Sequence, residues 1–296
     1  MTQLLRFRVP ASTTNLGHGF DCLGIALGAA NTVTVVEDVS GTVSAPGARD
    51  PGLARMAGAV REACAKGWGV TLPGLAVTVA GDVPIARGMG SSSTILLGVA
   101  AACQRLAGRA EDRHELIEIA AALEGHPDNV AAACLGGVTV VAEVAGGLRA
   151  ARFDVPSELR AVVAIPPFEV KTSEARRILP QELSRADAVR ALQRTALITA
   201  ALAQGRIDDL TGLFDDAWHE RFRATLNPGV VEARAAAAAA GAVGTIISGS
   251  GSTVLSFVRA AQADAVRAAV EGSYRARGVS AELRVLAFDN RGLTTM

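Results

Sequence analysis

Residues 83–94, VPIARGMGSSST, combine glycines, serines and an impending helix in the way that holding a phosphate requires. Gly88 and Gly90 let the backbone approach an anion closely, and Ser91, Ser92 and Ser93 add hydroxyls where a helix begins. Ile95, Val99, Ala102, Cys103 and Leu106 follow at helical spacing, with Gly108 as the stop. The alternating stretch 75–83 supplies a strand in front. Strand, glycine turn, serines and helix together aim unpaired N–H groups at a ligand. A Walker A loop is excluded, because it needs a lysine directly after its last glycine and the chain has only Lys66 and Lys171. Taken alone, the segment also reads as an ordinary strand-to-helix connection.

Four other stretches gather polar side chains. Residues 9–27 pack Ser12, Thr13, Thr14, Asn15 and Asp21 around Gly17 and Gly19 and read as a polar turn between two apolar segments. Residues 124–137 bunch Glu124, His126, Asp128 and Asn129 beyond what a helix start at Pro127 demands. Residues 166–180 place Thr172 and Ser173 before a helical turn bearing Arg176 and Arg177, and residues 219–229 contain Arg221 and Arg223. Each also has a plain structural reading, such as a side-chain turn, a helix cap or a solvated arginine. The glycine turn in 244–258 reads as a hairpin.

These segments need a scaffold, and the hydrophobic pattern outlines one. Strands are predicted near 4–9, 32–39, 75–83, 136–143, 159–166, 244–248, 253–258 and 281–288. Helices are predicted over 53–66, 92–107, 112–123, 127–134, 173–179, 185–204, 207–217, 229–240 and 261–275. The irregular mixture argues for α+β rather than a doubly wound sheet. The length of 296 residues suggests two domains, divided near Pro156 into 1–155 and 156–296. The alanine run Ala235–Ala240 reads as a helix lying close on a sheet.

Composition narrows the partners. Equal numbers of basic and acidic residues, 29 each, leave no cationic excess for nucleic acid or an anionic membrane. No apolar run reaches the roughly 20 residues of a membrane span, and the first twelve residues lack the apolar core of a secretion signal, so a cytoplasmic protein is expected. Cys22, Cys64, Cys103 and Cys134 are scattered without a C-x-x-C pair and read as buried free thiols.

Residues 83–94 also resemble, position by position, the phosphate-binding pattern of the GHMP kinases. PAS-x-x-NLG-x-GFD-x-LG-x-AL at 10–27, EGHPDNVA at 124–131, TSEAR-x-ILP at 172–180, R-x-x-L-x-PG at 223–229 and SGSG-x-T at 248–253 look like the homoserine kinase branch of that superfamily, in order and over nearly the whole chain. The resemblance implies an N-terminal domain like ribosomal protein S5 domain 2, a ferredoxin-like C-terminal domain, and an active site between them. It implies ATP-dependent phosphorylation of L-homoserine to O-phospho-L-homoserine, on the route to threonine. Pro84, Ile85, Ala86, Arg87, Gly88, Met89, Gly90, Ser91, Ser92 and Ser93 would wrap the ATP phosphates. Ser92 and Glu124 would hold Mg²⁺.

By the same resemblance, Asn15, Asp21, Asp128 and Asn129 would grip the amino-acid end of homoserine, and Arg176 and Arg223 would face its carboxylate. Asp21 is the carboxylate to test as proton acceptor, with His126 second, although a loose phosphoryl-transfer transition state places little demand on a base. Three departures from the pattern stand out: His18 and Ser252 replace common prolines and Thr94 a small alanine, and the two lost prolines are expected to free the backbone. A GHMP kinase acting on mevalonate or a sugar is the nearest alternative, and a non-catalytic nucleotide or amino-acid sensor the next. The oligomeric state is not set by the sequence, and a homodimer is compatible with it.

Overall fold

The computed structural model describes residues 3–48, 51–216 and 218–296. The chain begins with a long antiparallel hairpin, β1 (Leu4–Asn15) and β2 (Gly19–Asp38), followed by β3 (Val43–Ser44), α1 (Gly52–Trp68) and β4 (Gly74–Gly81). Three helices come next, α2 (Ser91–Leu106), α3 (Arg113–Glu124) and α4 (Asp128–Leu135), then the hairpin β5 (Val138–Val144) and β6 (Gly147–Phe153). The second half runs β7 (Leu159–Ile165), α5 (Thr172–Arg177), α6 (Arg185–Ala203), α7 (Glu220–Arg223), α8 (Val230–Ala239) and β8 (Gly244–Ile247). It finishes with β9 (Val254–Arg259), α9 (Ala263–Ala276), β10 (Glu282–Leu286) and β11 (Thr294–Thr295).

The strands form two sheets. In the larger one the order is β11-β1-β2-β4-β3, and β5 pairs with the first half of β2 while β6 pairs with β5. The smaller is a four-stranded antiparallel sheet in the order β10-β7-β9-β8. This is the expected α+β architecture. The last strand returns to pair with β1 at Phe7 and Arg8, so the chain ends where it began.

β2 serves two cores at different points along its length, its register against β1 shifting between the Pro10–Ala30 and Ser12–Ala26 pairs. Val33 and Val35 bury into an apolar cluster with α1 to α4, whereas Leu23, Ile25 and Leu27 pack against Leu159, Val163, Phe214 and Phe257 beneath the second sheet. Each fully buried side chain of this size contributes roughly 1.5–3 kcal/mol. The second cluster therefore ties the two halves into one body on either side of the site. Alanine lets helices approach closely, and α8 places Ala233 and Ala237 against Ile247 and Val254 as the alanine run suggested.

Several features differ from the sequence reading. Residues 10–14 and 20–27 are strand, and the reversal is confined to residues 16–18, with Asn15, Leu16 and Gly17 at positive φ. The buried hydroxyls that made the stretch look like a turn are satisfied across the fold, Ser12 by Asn129 and Thr13 by Ser248. The helix expected over 207–217 is a single 3₁₀ turn, Ile207–Leu210, ended by Gly212 at φ +81, and Ala217 lies outside the described residues. The strands β3, β6 and β11 went unpredicted, because β6 is mostly alanine and arginine and β3 and β11 have only two residues each. All four cysteines are free, and Cys64, Cys103 and Cys134 are buried.

Candidate active site

A cavity of about 770 Å³ opens between the two sheets, and five of the polar segments converge on it. Its floor is the glycine loop. Ala86, Gly88 and Gly90 all take positive φ, and α2 starts at Ser91 with no side chain capping it. The first amides of α2 are therefore left without helical partners and carry the positive end of the helix dipole. Such an end is a ready anion site.

The loop is held rather than merely close. Ser12 N donates to Met89 O at 3.2 Å, Ser248 Oγ to Gly88 O at 2.7 Å, and Thr253 N to Arg87 O at 3.2 Å. Arg87 reaches across to Pro167 O at 3.2 Å and to Glu169 at 3.3 Å. A Cβ at Gly88 would collide with Ser248 O and lie 2.8 Å from Gly251 O, so a glycine is needed there by contact as well as by φ.

Ser92 and Glu124 meet above the loop, the hydroxyl donating to Oε1 at 2.5 Å. Burial raises the Glu124 pKa, only partly offset by the Ser92 bond and by His126, whose Nε2 lies 4.0 Å away. A buried carboxylate beside a hydroxyl, at the mouth of a phosphate cradle, suits a hard cation that takes its other ligands from phosphate and water. The described residues contain no cluster of three or more His, Cys, Asp or Glu that could hold a metal by themselves.

The opposite wall carries charges of both signs. Arg176 donates through both terminal nitrogens to Asp21, at 2.9 and 2.7 Å, and Asp21 itself sits at φ +54 with its N–H on Asn15 Oδ1 at 3.1 Å. The Asp21 bond raises the Arg176 pKa. Asp128 Oδ1 takes the His126 Nδ1 contact at 2.9 Å and the Asn129 N–H at 2.8 Å. Burial lowers the pKa of His126, but the Asp128 bond and the charges of Asp128 and Glu124 outweigh it and leave the imidazole above its usual value. Arg223 is almost fully buried, and burial followed by the nearby Arg176 charge brings it down to about 10. Both guanidinium groups lie over the Phe20 ring, at 5.3 Å for Arg176 and 5.2 Å for Arg223.

Most of the expected site residues thus line one cavity: Asn15, Asp21, the loop from Ile85 to Ser92, Glu124, Asp128, Asn129, Arg176 and Arg223. Pro84 stands outside the lining and Ser93 is buried on the inner side of α2. Two groups of lining residues escaped the sequence. Leu53, Met56, Val79 and Ile95 give the loop an apolar flank suited to a flat ring, yet their spacing is that of ordinary core. Lys171 and Gly249 line the far side, from the segments around Thr172 and the 248–253 turn.

The three departures turn out to be bonded rather than loose. Thr94 accepts from Asn31 Nδ2 at 2.9 Å and donates to Ser91 O at 2.7 Å, which braces the first turn of α2. Ser252 Oγ donates to Phe168 O at 2.6 Å, and the buried His18 ring meets Asp215 O at 2.7 Å. His18 and Ser252 thus exchange a fixed backbone angle for a side-chain tether.

A two-unit α+β body with a glycine-loop anion site at the head of a helix defines a class of small-molecule kinase. The family model described as GHMP kinases N terminal domain matches residues 53–137, and that described as GHMP kinases C terminal matches residues 198–276, so the chain belongs to the GHMP kinases. Within them it is a member of the homoserine kinase family. The homoserine kinase of Trichormus variabilis is 39% identical over 295 residues, covering 97% of each chain. That of Deinococcus radiodurans is 42% identical over 254 residues, 84% of this chain and 83% of its own. The crystal structure of homoserine kinase from Cytophaga hutchinsonii superposes with a TM-score of 0.89 at 24% identity, covering 99% of this chain and 97% of that one.

Proposed function

We propose that this chain transfers the γ-phosphoryl group of MgATP to the side-chain hydroxyl of L-homoserine, and that the cavity described above is where it does so. The carrying observation is that charges of both signs, Asp21 and Asp128 with Arg176 and Arg223, share one cavity with the glycine loop. A zwitterionic alcohol meets such a wall without leaving a charge unpaired. Mevalonate offers no ammonium to the two aspartates.

Division of labour follows from position. The loop from Ile85 to Ser92 cradles the triphosphate, chiefly through main-chain N–H groups at the start of α2. Mg²⁺, when bound, neutralises charge on the β- and γ-phosphates, and Ser92 with Glu124 are the side chains that would hold it. Arg223 and Arg176 receive the homoserine carboxylate, while Asp21 and Asp128, with Asn15 and Asn129, orient the ammonium. Both Asp21 oxygens accept from Arg176, which fixes the carboxylate in place for orienting the substrate. Catalysis then rests on alignment and charge neutralisation, which a loose transition state allows.

We also propose a cytoplasmic enzyme with no nucleic-acid or membrane partner, divided near Pro156, and acting as a homodimer or alone. The balanced charge supports the lack of a nucleic-acid partner; no helix among the described residues is long and apolar enough to cross a membrane. An ADP-release assay with MgATP and L-homoserine, L-serine or mevalonate tests the substrate. Clear preference for L-homoserine is expected; equal rates with all three would remove the assignment.

A further inference from the structure

The fully buried His219 ring stands between the β1–β2 reversal and Arg223. Its Nε2 lies 2.9 Å from Gly17 O, and its Nδ1 lies 3.2 Å from Arg223 Nη1, one helical turn away. A carbonyl can only accept and a guanidinium can only donate, so these neighbours dictate the tautomer. The ring must be neutral, with its proton on Nε2 and its lone pair on Nδ1. Burial pushes the His219 pKa down to about 4, further lowered by Arg223 and His18 and opposed by Asp216 and the Gly17 bond.

The surrounding groups hold the ring in place. Asp216 accepts from the N–H of Trp218, His219 and Glu220, at 3.0, 2.6 and 2.7 Å, which fixes the backbone that carries the imidazole. Arg223 in turn donates from Nη1 to Gly249 O at 2.9 Å and from Nε to Ala175 O at 3.3 Å. Of the five N–H groups of a guanidinium, three are thereby engaged. The two on Nη2 have no hydrogen bond among the described residues, and Arg223 lines the cavity.

We infer that His219 is a positioning residue for substrate recognition: as a neutral acceptor it orients the Arg223 guanidinium so that Nη2 meets the substrate carboxylate. This rests on the reading of Arg223 as a carboxylate ligand. By holding Gly17 O at its other nitrogen, the same ring sets the distance between Arg223 and the hairpin tip that carries Asn15 and Asp21. No conformer change is needed for the role. It is a fixed brace linking the two halves of the amino-acid subsite.

Side-chain amides separate the two bonds of the ring. His219→Asn leaves an oxygen acceptor where Nδ1 was, His219→Gln extends a donor toward Gly17 O, and His219→Phe offers neither. Loss of one hydrogen bond to a charged group corresponds to about tenfold in affinity. KM for L-homoserine is expected to rise about tenfold in the Gln and Phe variants and to stay within about threefold of wild type in Asn, with KM for ATP unchanged throughout. On an Arg223→Ala background, His219→Phe should have no further effect on KM for homoserine. The inference is overturned if Gln matches wild type while Asn behaves like Phe, if all three keep the wild-type KM, or if the Phe and Ala effects add. Arg223→Ala alone keeps the two ideas apart. An unchanged KM there sinks the carboxylate reading itself, whereas a raised KM with silent His219 variants sinks only the brace. Thermal melts report whether each variant folds.

Discussion

Gly88→Ala probes how far the glycine loop depends on its clamp to the second half of the chain. Two effects of the new methyl group can be separated by a control, Gly108→Ala. Gly88 and Gly108 have nearly the same left-handed φ, +71 and +67, but a Cβ at Gly108 meets nothing within 4 Å while one at Gly88 strikes Ser248 O and crowds Gly251. Backbone strain of about 1–2 kcal/mol is common to both. Relief of the collision at Gly88 requires the loop to withdraw from the 248–253 turn, with loss of the Ser248 Oγ to Gly88 O and Thr253 N to Arg87 O bonds. At about 1 kcal/mol each, or somewhat more where the groups stay buried, the added cost is about 2–3 kcal/mol. If the phosphates are held by amides of this loop, kcat/KM for ATP should fall about 30- to 150-fold in Gly88→Ala and stay near wild type in Gly108→Ala. Steady-state kinetics with ATP as the varied substrate, beside thermal melts of both variants, makes the comparison. Wild-type kcat/KM in Gly88→Ala, or an equal fall in both variants, would refute the clamp.

Three further outcomes are expected. Glu124→Gln should lower kcat by about 100-fold or more while nucleotide affinity changes by less than about tenfold, since the carboxylate serves the metal in the transition state; equal loss of both, read by kinetics and nucleotide titration, would deny that role. Burial raises the Glu124 pKa, so kcat/KM should fall as pH drops through a value above the usual glutamate range, and more Mg²⁺ should shift that limb to lower pH because metal and proton compete. A limb indifferent to Mg²⁺ would contradict it. Glu220 is buried against Arg234 and the Ile247 N–H, and its pKa is raised by burial to about 7 from 4.5. The folded state thus keeps a proton that the unfolded chain releases earlier, a stabilisation complete below about pH 4.5 and lost as pH rises through about 7, worth on the order of 3 kcal/mol. Denaturant titrations should show this slope in wild type and a flatter one in Glu220→Gln; parallel slopes would refute it.

What the sequence disclosed was local. The glycine loop, its serines and the start of α2 are contiguous, and their backbone demands are written in residue type at Gly88 and Gly90. Glu124 was legible because a carboxylate, a histidine and an aspartate crowd a helix junction without a folding reason. Pairing across distance was not. Asp21 and Arg176 were assigned to opposite ends of the substrate, and the fold also joins them to each other across 155 positions. Ser12 and Thr13 looked like turn residues because their partners, Asn129 and Ser248, lie over a hundred positions away. Leu53 and Met56 carry the same apolar signature whether they face a core or a nucleotide. His219 had no readable role either, since its meaning depends on Gly17 O and on a residue in the next helical turn.

A crystal structure with a non-hydrolysable ATP analogue, Mg²⁺ and L-homoserine bound together tests the shared cavity most directly. The triphosphate is expected against the main-chain N–H groups at the head of α2, the metal at Ser92 and Glu124, and the amino-acid carboxylate within hydrogen-bond distance of Arg223 Nη2. A triphosphate remote from Gly88 to Ser92, or an amino acid lodged away from both Asp21 and Arg223, would contradict it.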